Sequence, residues 1–152
     1  MSAAKVRFGG LTPYLHYENA GAAADWLAKV FGFEERARYV DGDGVVRELE
    51  MEVGGTELWM AGHGPGHWES KGRRPDQLVL VWVDDVDSLY ERVTAAGVEV
   101  APPKDQTYDV RSFGPVADPE GYTWGFQRRL GTGYQQTEGG WTQVLPESRP
   151  TA

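Results

Sequence analysis

An internal repeat constrains this chain more than any other feature. Residues 12–19 (TPYLHYEN) and 78–85 (LVLVWVDD) each read as a short strand running into helix-capping residues. Each is followed by an amphipathic stretch, AGAAADWLAKVF at 20–31 and VDSLYERVTAAG at 86–97. Apolar residues recur there at helical spacing: Trp26, Leu27, Val30 and Phe31 in the first, Leu89, Tyr90 and Val93 in the second. Gly32 and Gly97 supply the C-terminal stops.

Shorter strand-like segments follow each helix. In the first half, 34–40 (EERARYV) and 46–53 (VRELEMEV) flank Asp41-Gly42-Asp43-Gly44, a hairpin signal, and Gly54-Gly55 turns into 56–62 (TELWMAG). In the second half, 98–103 (VEVAPP) is followed by 108–118 (YDVRSFGPVAD), and Asp118-Pro119-Glu120-Gly121 turns into 122–129 (YTWGFQRR). Both halves read β-α-β-β-β. The expected division is a first module at 1–62, a linker at 63–76 (HGPGHWESKGRRPD), a second module at 77–130 and a tail at 131–152. Setting Asn19 against Asp85 pairs Thr12 with Leu78, Tyr14 with Leu80 and His16 with Trp82. Setting Gly55 against Gly121 pairs Leu58 with Trp124 and Trp59 with Gly125.

Composition narrows the chemistry. With no Cys among 152 residues, disulfides, thiolate nucleophiles and sulfur-based zinc sites are excluded. The net charge of −8 disfavours phosphate backbones, so nucleic acid is not an expected partner. No apolar run reaches the length of a membrane span and the N-terminus lacks a signal peptide's apolar stretch, so a cytoplasmic protein without a membrane partner is expected.

Three segments together resemble the vicinal oxygen chelate superfamily, which includes glyoxalase I, bleomycin-resistance proteins and extradiol dioxygenases. They are LTPYLHYENAGAAADWLAKVFGF, VWVDDVDSLYERVTAAGVEV and DPEGYTWGFQRR, and the likeness runs from about residue 11 to about 130. The resemblance implies an α+β fold of two βαβββ modules, forming a curled mixed sheet around a central cup with helices on the outer face. It also implies a homodimer. The family's metalloenzymes take four cup ligands, usually His, Glu or Gln, at positions that fall here near Thr12, Trp59, Leu78 and Gly125. Leu, Trp and Gly side chains cannot bind a divalent cation, and Thr is a poor ligand alone. A one-residue slip brings in Gln77 but turns a strand's apolar face outward. No metal and no cofactor are therefore expected, which puts the family's metal-dependent reactions in doubt.

Strand alternation sorts side chains between core and cup. Leu15 and Tyr17 are expected in the core, leaving Thr12, Tyr14, His16 and Glu18 on the cup face; Leu58 and Met60 in the core, leaving Trp59. Val79, Val81 and Val83 are expected inside, leaving Leu78, Leu80 and Trp82; Trp124 and Phe126 inside, leaving Thr123, Gly125 and Gln127. Leu49, Met51 and Val53 lie opposite Glu48, Glu50 and Glu52. The expected cup is aromatic and partly acidic: Tyr14, His16, Glu50, Trp59 and Trp82, with Gly125 leaving room for a ligand. Such a surface stacks planar molecules and attracts cations.

Each signal also has a plainer reading. In it the tryptophans fill a collapsed cup or a dimer interface, and the three glutamates form a solvated face paired with Arg36 and Arg38. His16 is a candidate acid or base by its ordinary titration range, against a hydrogen-bonded strand histidine. His63 and His67 stand at i,i+4, but Gly64, Pro65 and Gly66 argue for a mobile linker rather than a helix. Arg111, in a segment resembling the family's Tyr-Gly-x-Arg element with Asp109 replacing Gly, reads either as an anchor for an anionic ligand or as a hairpin fastener through a carboxylate such as Asp118. Trp26 is expected in the core, Trp68 in the linker and Trp141 in the tail.

The leading expectation is a metal-independent binding protein holding a small organic, aromatic or cationic ligand, with antibiotic sequestration as one role. The alternative is an enzyme of the same fold, using a displaced metal site (His16 with Glu18 or a strand-three glutamate) or acid–base chemistry through His16. A third reading, a fold retained for partner binding, has no positive signal.

Overall fold

The computed structural model describes residues 5–132 and 142–148. The elements run β1 (Tyr14–Tyr17), α1 (Ala20–Phe31), β2 (Glu34–Val40), β3 (Val46–Val53), β4 (Thr56–Gly62), α2 (His67–Lys71), β5 (Leu78–Trp82), α3 (Val86–Ala95), β6 (Lys104–Asp105), β7 (Val110–Ala117) and β8 (Thr123–Arg129), with a 3-10 turn at Pro146–Ser148. Two four-stranded mixed sheets result, in the orders β1-β4-β3-β2 and β5-β8-β7-β6. β1 pairs in parallel with β4, and β5 with β8; the paired neighbours β4–β3, β3–β2 and β6–β7 are antiparallel. This is an α+β fold of two βαβββ modules. Among the described residues no helix is long and apolar enough to cross a membrane.

The chain forms two compact units. One comprises the described residues up to 76 together with 117–122; the other comprises 77–116 and the described residues from 123 onward. In the first, α1 lays Ala20, Ala23, Ala24, Leu27, Val30 and Phe31 onto the sheet face carrying Leu15, Tyr17, Leu49, Met51, Leu58 and Met60, all buried. The alternation expected from the sequence holds in each of these strands, and each large apolar side chain contributes about 1.5–3 kcal/mol by leaving water. In the second unit Val86 and Val93 of α3 are buried, as are Phe113, Val116, Trp124 and Phe126. Phe113 lies 5.2 Å from Phe126 and 5.7 Å from Tyr90, ring centre to ring centre.

Local chemistry sets the element ends. The Asn19 side chain accepts from Ala22 N–H at 2.9 Å and Asp85 from Ser88 N–H at 3.0 Å, satisfying free donors of the first helical turns. Gly32, at φ 83°, ends α1 in the left-handed region that a Cβ disfavours. In the 41–44 hairpin turn, Asp41 accepts from the N–H groups of Asp43 (2.9 Å) and Val45 (3.0 Å) and holds Arg47 at 2.8 Å. Gly62 lets β4 approach β3: a Cβ there would lie 1.9 Å from the Val46 carbonyl oxygen.

Four expectations need correction. Residues 98–103 form no strand, because Pro102 and Pro103 lack the N–H a ladder needs, and pairing with β7 is confined to Lys104 and Asp105. Residues 63–76 are not irregular throughout: 67–71 form α2, and the segment belongs to the first unit. Trp26 is half-buried rather than core, edge-on to Phe31 at 5.1 Å. Arg36 does meet Glu52 at 2.5 Å, but Arg38 pairs with Glu35 and Asp25 instead of the β3 glutamates. Trp141, expected in the tail, lies outside the described residues.

The turn 117–122 is fastened to the end of β1. Buried Asp118 accepts the Tyr17 hydroxyl at 2.6 Å and the N–H groups of Glu120, Gly121 and Tyr122 at 3.0–3.1 Å. Burial, then the Asp118 carboxylate, holds the Tyr17 phenol far above its usual range. Glu120 accepts from Glu18 N–H (2.7 Å), Asn19 N–H (2.9 Å) and the Trp68 indole N–H (2.7 Å). Tyr122 exchanges hydrogen bonds with the backbone of His16, its hydroxyl accepting from the N–H and donating to the carbonyl, both at 3.0 Å.

Candidate functional site

Register places the candidate residues of the first unit in rows. On the sheet face away from α1, Tyr14, Trp59, Glu50 and Ala37 lie side by side across β1, β4, β3 and β2. The next row runs His16, Ala61, Glu48, Tyr39. Tyr14, Tyr39, Glu48, Glu50 and Trp59 line an open recess of about 350 Å³. Three of the seven expected site residues, Tyr14, Glu50 and Trp59, are thus brought together, and Tyr39 and Glu48 join them.

The recess has aromatic walls and an acidic floor. Trp59 is 39 % exposed and meets Tyr14 edge-on, ring centres 6.3 Å apart. The Tyr14 hydroxyl donates to Glu48 at 2.5 Å, and that bond, with some burial and the Glu48 charge, raises the phenol above its usual range. Glu48 thus lies beside exposed aromatic faces.

His16 stands at the edge of this recess, its ring 5.1 Å from Tyr14. All three histidines of the chain gather there. His16 Nδ1 and His63 Nε2 are 2.8 Å apart, so one imidazole N–H donates to the other's lone pair. His67 stacks on His63 with ring centres 4.3 Å apart and planes 9° from parallel, and Trp68 closes on His67 edge-on at 4.6 Å. The i,i+4 pair thus meets without a helix spanning 63–67. β4 pairing continues past its end, with His63 N–H donating to the Tyr17 carbonyl (2.8 Å) and Gly64 N–H to Glu18 (2.9 Å), and the chain then folds back through α2. Trp68 anchors the return: its backbone N–H donates to Glu18 at 3.1 Å and its indole to Glu120. A sequence signal for His63 did exist, since alternation carried on from Trp59 and Ala61 puts it on the same face.

The other candidates sit in the second unit, where each is engaged locally. Trp82 is 51 % exposed, with the Arg129 guanidinium 4.3 Å from its ring centre, so the chain's own cation covers one face. Arg111 donates to Asp87 at 2.7 and 2.9 Å and to Asp105 at 3.0 Å, and these carboxylates hold its guanidinium well above its usual range. Within the second unit Arg111 thus acts as a fastener through Asp87 and Asp105. Gly125 does not leave ligand space, because a Cβ there would lie 2.9 Å from Leu80 Cδ2 and 3.6 Å from Leu78 Cδ1. Both leucines are exposed and flexible. Gly125→Ala is accordingly expected to cost less than about 1.5 kcal/mol in urea unfolding, as the Leu80 side chain swings aside.

The positions where the family places metal ligands do not fit an ion. Trp59, Leu78 and Gly125 offer no donor atom, and Thr12 alone does not make a site. Glu18, a partner considered for a displaced site at His16, accepts from Trp68 instead. Among the described residues no group of three or more His, Asp or Glu side chains is arranged to hold a metal ion.

Fold and modules define a class, and sequence comparison agrees with it. Residues 15–126 match the Glyoxalase/Bleomycin resistance protein/Dioxygenase superfamily, and the chain belongs to that superfamily. It is similar to TioX from Micromonospora sp. ML1, with 33 % identity, a TM-score of 0.62, and coverage of 79 % of this chain and 95 % of that one. It is 29 % identical over 121 residues to an uncharacterised protein of Mycobacterium bovis, covering 75 % of this chain and 79 % of that protein. The lactoylglutathione lyase of Agrobacterium tumefaciens shares the fold at 18 % identity, with a TM-score of 0.59 over 82 % of this chain and 96 % of that one.

Proposed function

We propose that this protein is a metal-independent small-molecule binding protein that holds a planar aromatic cation on the open face of its first sheet. Antibiotics of that chemistry are the natural candidates, sequestered for resistance or carried between sites. The observation that carries this reading is the recess itself, in which Tyr14, Tyr39 and Trp59 present aromatic surface around Glu48 and Glu50. A ring cation there gains stacking, attraction to the aromatic faces and two carboxylates at once. The residues at the family's metal positions support binding over Lewis-acid chemistry, because their side chains cannot coordinate.

Calorimetric titration with ethidium, a permanently cationic planar aromatic, tests the proposal against neutral caffeine. The expected result is one ethidium site per chain, with Kd in the range of about 1–100 µM and weakening as salt rises. Equal affinity for the two probes, or no heat with either, contradicts it.

A further inference from the structure

We infer that His16, His63 and His67 act as one proton-accepting unit that lowers the affinity of the adjoining recess for a cation when the pH falls. The inference rests on the cationic-ligand reading above and adds a regulation to it. Its basis is geometric. The three imidazoles form a continuous chain, linked by a shared hydrogen bond between His16 and His63 and by ring stacking between His63 and His67. One end of that chain, His16, borders Tyr14 of the recess.

The charged and titratable groups around the cluster decide the direction. From β3 comes Glu48, which also lines the recess and accepts the Tyr14 hydroxyl. From α2 comes Lys71, and the Arg47 guanidinium of β3 reaches the Gly62 carbonyl at 3.4 Å. Tyr122, from the 117–122 turn, holds only the backbone of His16. Burial, then the neighbouring His67, His16 and Lys71, keep His63 below its ordinary value, with Glu48 opposing. His63 therefore takes up its proton at a lower pH than an ordinary imidazole.

That proton acts on the recess in two ways of the same sign. It compensates Glu48, one of the two carboxylates facing a bound cation, and it repels the cation directly. The same protonation weakens the cluster. A group whose folded pKa is depressed contributes stability above its unfolded value and loses it as pH falls through the folded one. Below about pH 6.5, docking of residues 63–71 on β1 should loosen while ligand affinity drops.

The experiment is ethidium titration from pH 8 to 5 on the protein and on His63→Gln, alongside NMR titration of the three imidazoles. Affinity should fall about five- to tenfold across this range, following the histidine titration, and His63→Gln should flatten most of the dependence. In the NMR experiment, His63 should titrate at a lower pH than an ordinary imidazole. Ethidium binding that ignores pH, or a pH dependence that survives His63→Gln, overturns the inference alone. No ethidium binding at any pH overturns the cationic-ligand reading and, with it, this one.

Discussion

Replacing Asp118 by alanine is expected to lower the stability of the protein by about 3–5 kcal/mol, shifting thermal unfolding by about 10 °C. The carboxylate is 5 % exposed and accepts one hydroxyl and three backbone N–H groups. Removing it takes an acceptor from four donors; Gly121 N–H keeps the Asp118 backbone carbonyl, but the Tyr17 hydroxyl is buried in the core, where water cannot replace the lost acceptor. Asp118→Asn keeps one carbonyl acceptor and should cost about half as much. Tyr17→Phe removes a single donor and leaves the carboxylate with its backbone partners, so about 1–2 kcal/mol is expected. The ranking Asp118→Ala, then Asp118→Asn, then Tyr17→Phe is checked by urea unfolding. An Asp118→Ala protein within 1 kcal/mol of the parent would show that the turn is not a structural clasp. The effect should also reach the histidine cluster, because the same turn carries Glu120, which holds the indole of Trp68 beside His67.

That clasp marks where sequence reasoning stopped. Periodicity located α1, β2, β3 and β4, because helix and strand burial patterns are local and Gly or Asn punctuates their ends. Alternation likewise placed Tyr14, Glu50 and Trp59 on one face, since a strand's side chains have only two directions to take. The sequence presents Asp118 as a turn residue or a carboxylate for Arg111, because nothing local reveals that its second oxygen accepts a hydroxyl from Tyr17, 101 residues away. The stacking of His67 on His63 is hidden for the same reason. His63 and His67 meet through a return of the chain anchored by Trp68, and α2 has five residues, too few for a periodic signal. Gly125 reads in the sequence as room for a ligand, and nothing local reveals that Leu80 and Leu78 stand 2.9 and 3.6 Å from where its Cβ would be. The sequence offers Arg111 as a ligand anchor or a fastener, and its partners Asp87 and Asp105 lie in α3 and β6, which nothing local in its own strand reveals.

Trp59→Ala is expected to weaken ethidium binding about 30- to 150-fold while leaving thermal unfolding within about 3 °C of the parent. The split follows from position. Trp59 projects from the solvent face of β4 and is 39 % exposed, whereas the strand's core contacts come from Leu58 and Met60. Its truncation removes the main stacking wall of the recess without opening a cavity under α1. Stacking and cation attraction at a partly desolvated indole are worth about 2–3 kcal/mol together, which sets the expected loss. Trp59→Phe keeps an aromatic face and should recover most of the affinity; Trp59→Leu keeps apolar area without the ring quadrupole and should not. Glu50→Gln addresses the other half of the site. A carboxylate near open solvent acts through a high dielectric, so only a roughly three- to fivefold loss is expected, together with a shallower salt dependence. Calorimetry on these four variants separates the contributions of ring face, apolar area and charge. If Trp59→Leu binds as well as Trp59→Phe, area alone holds the ligand and the cationic preference is lost. If Trp59→Ala binds like the parent, the recess on the first sheet is not where the ligand sits.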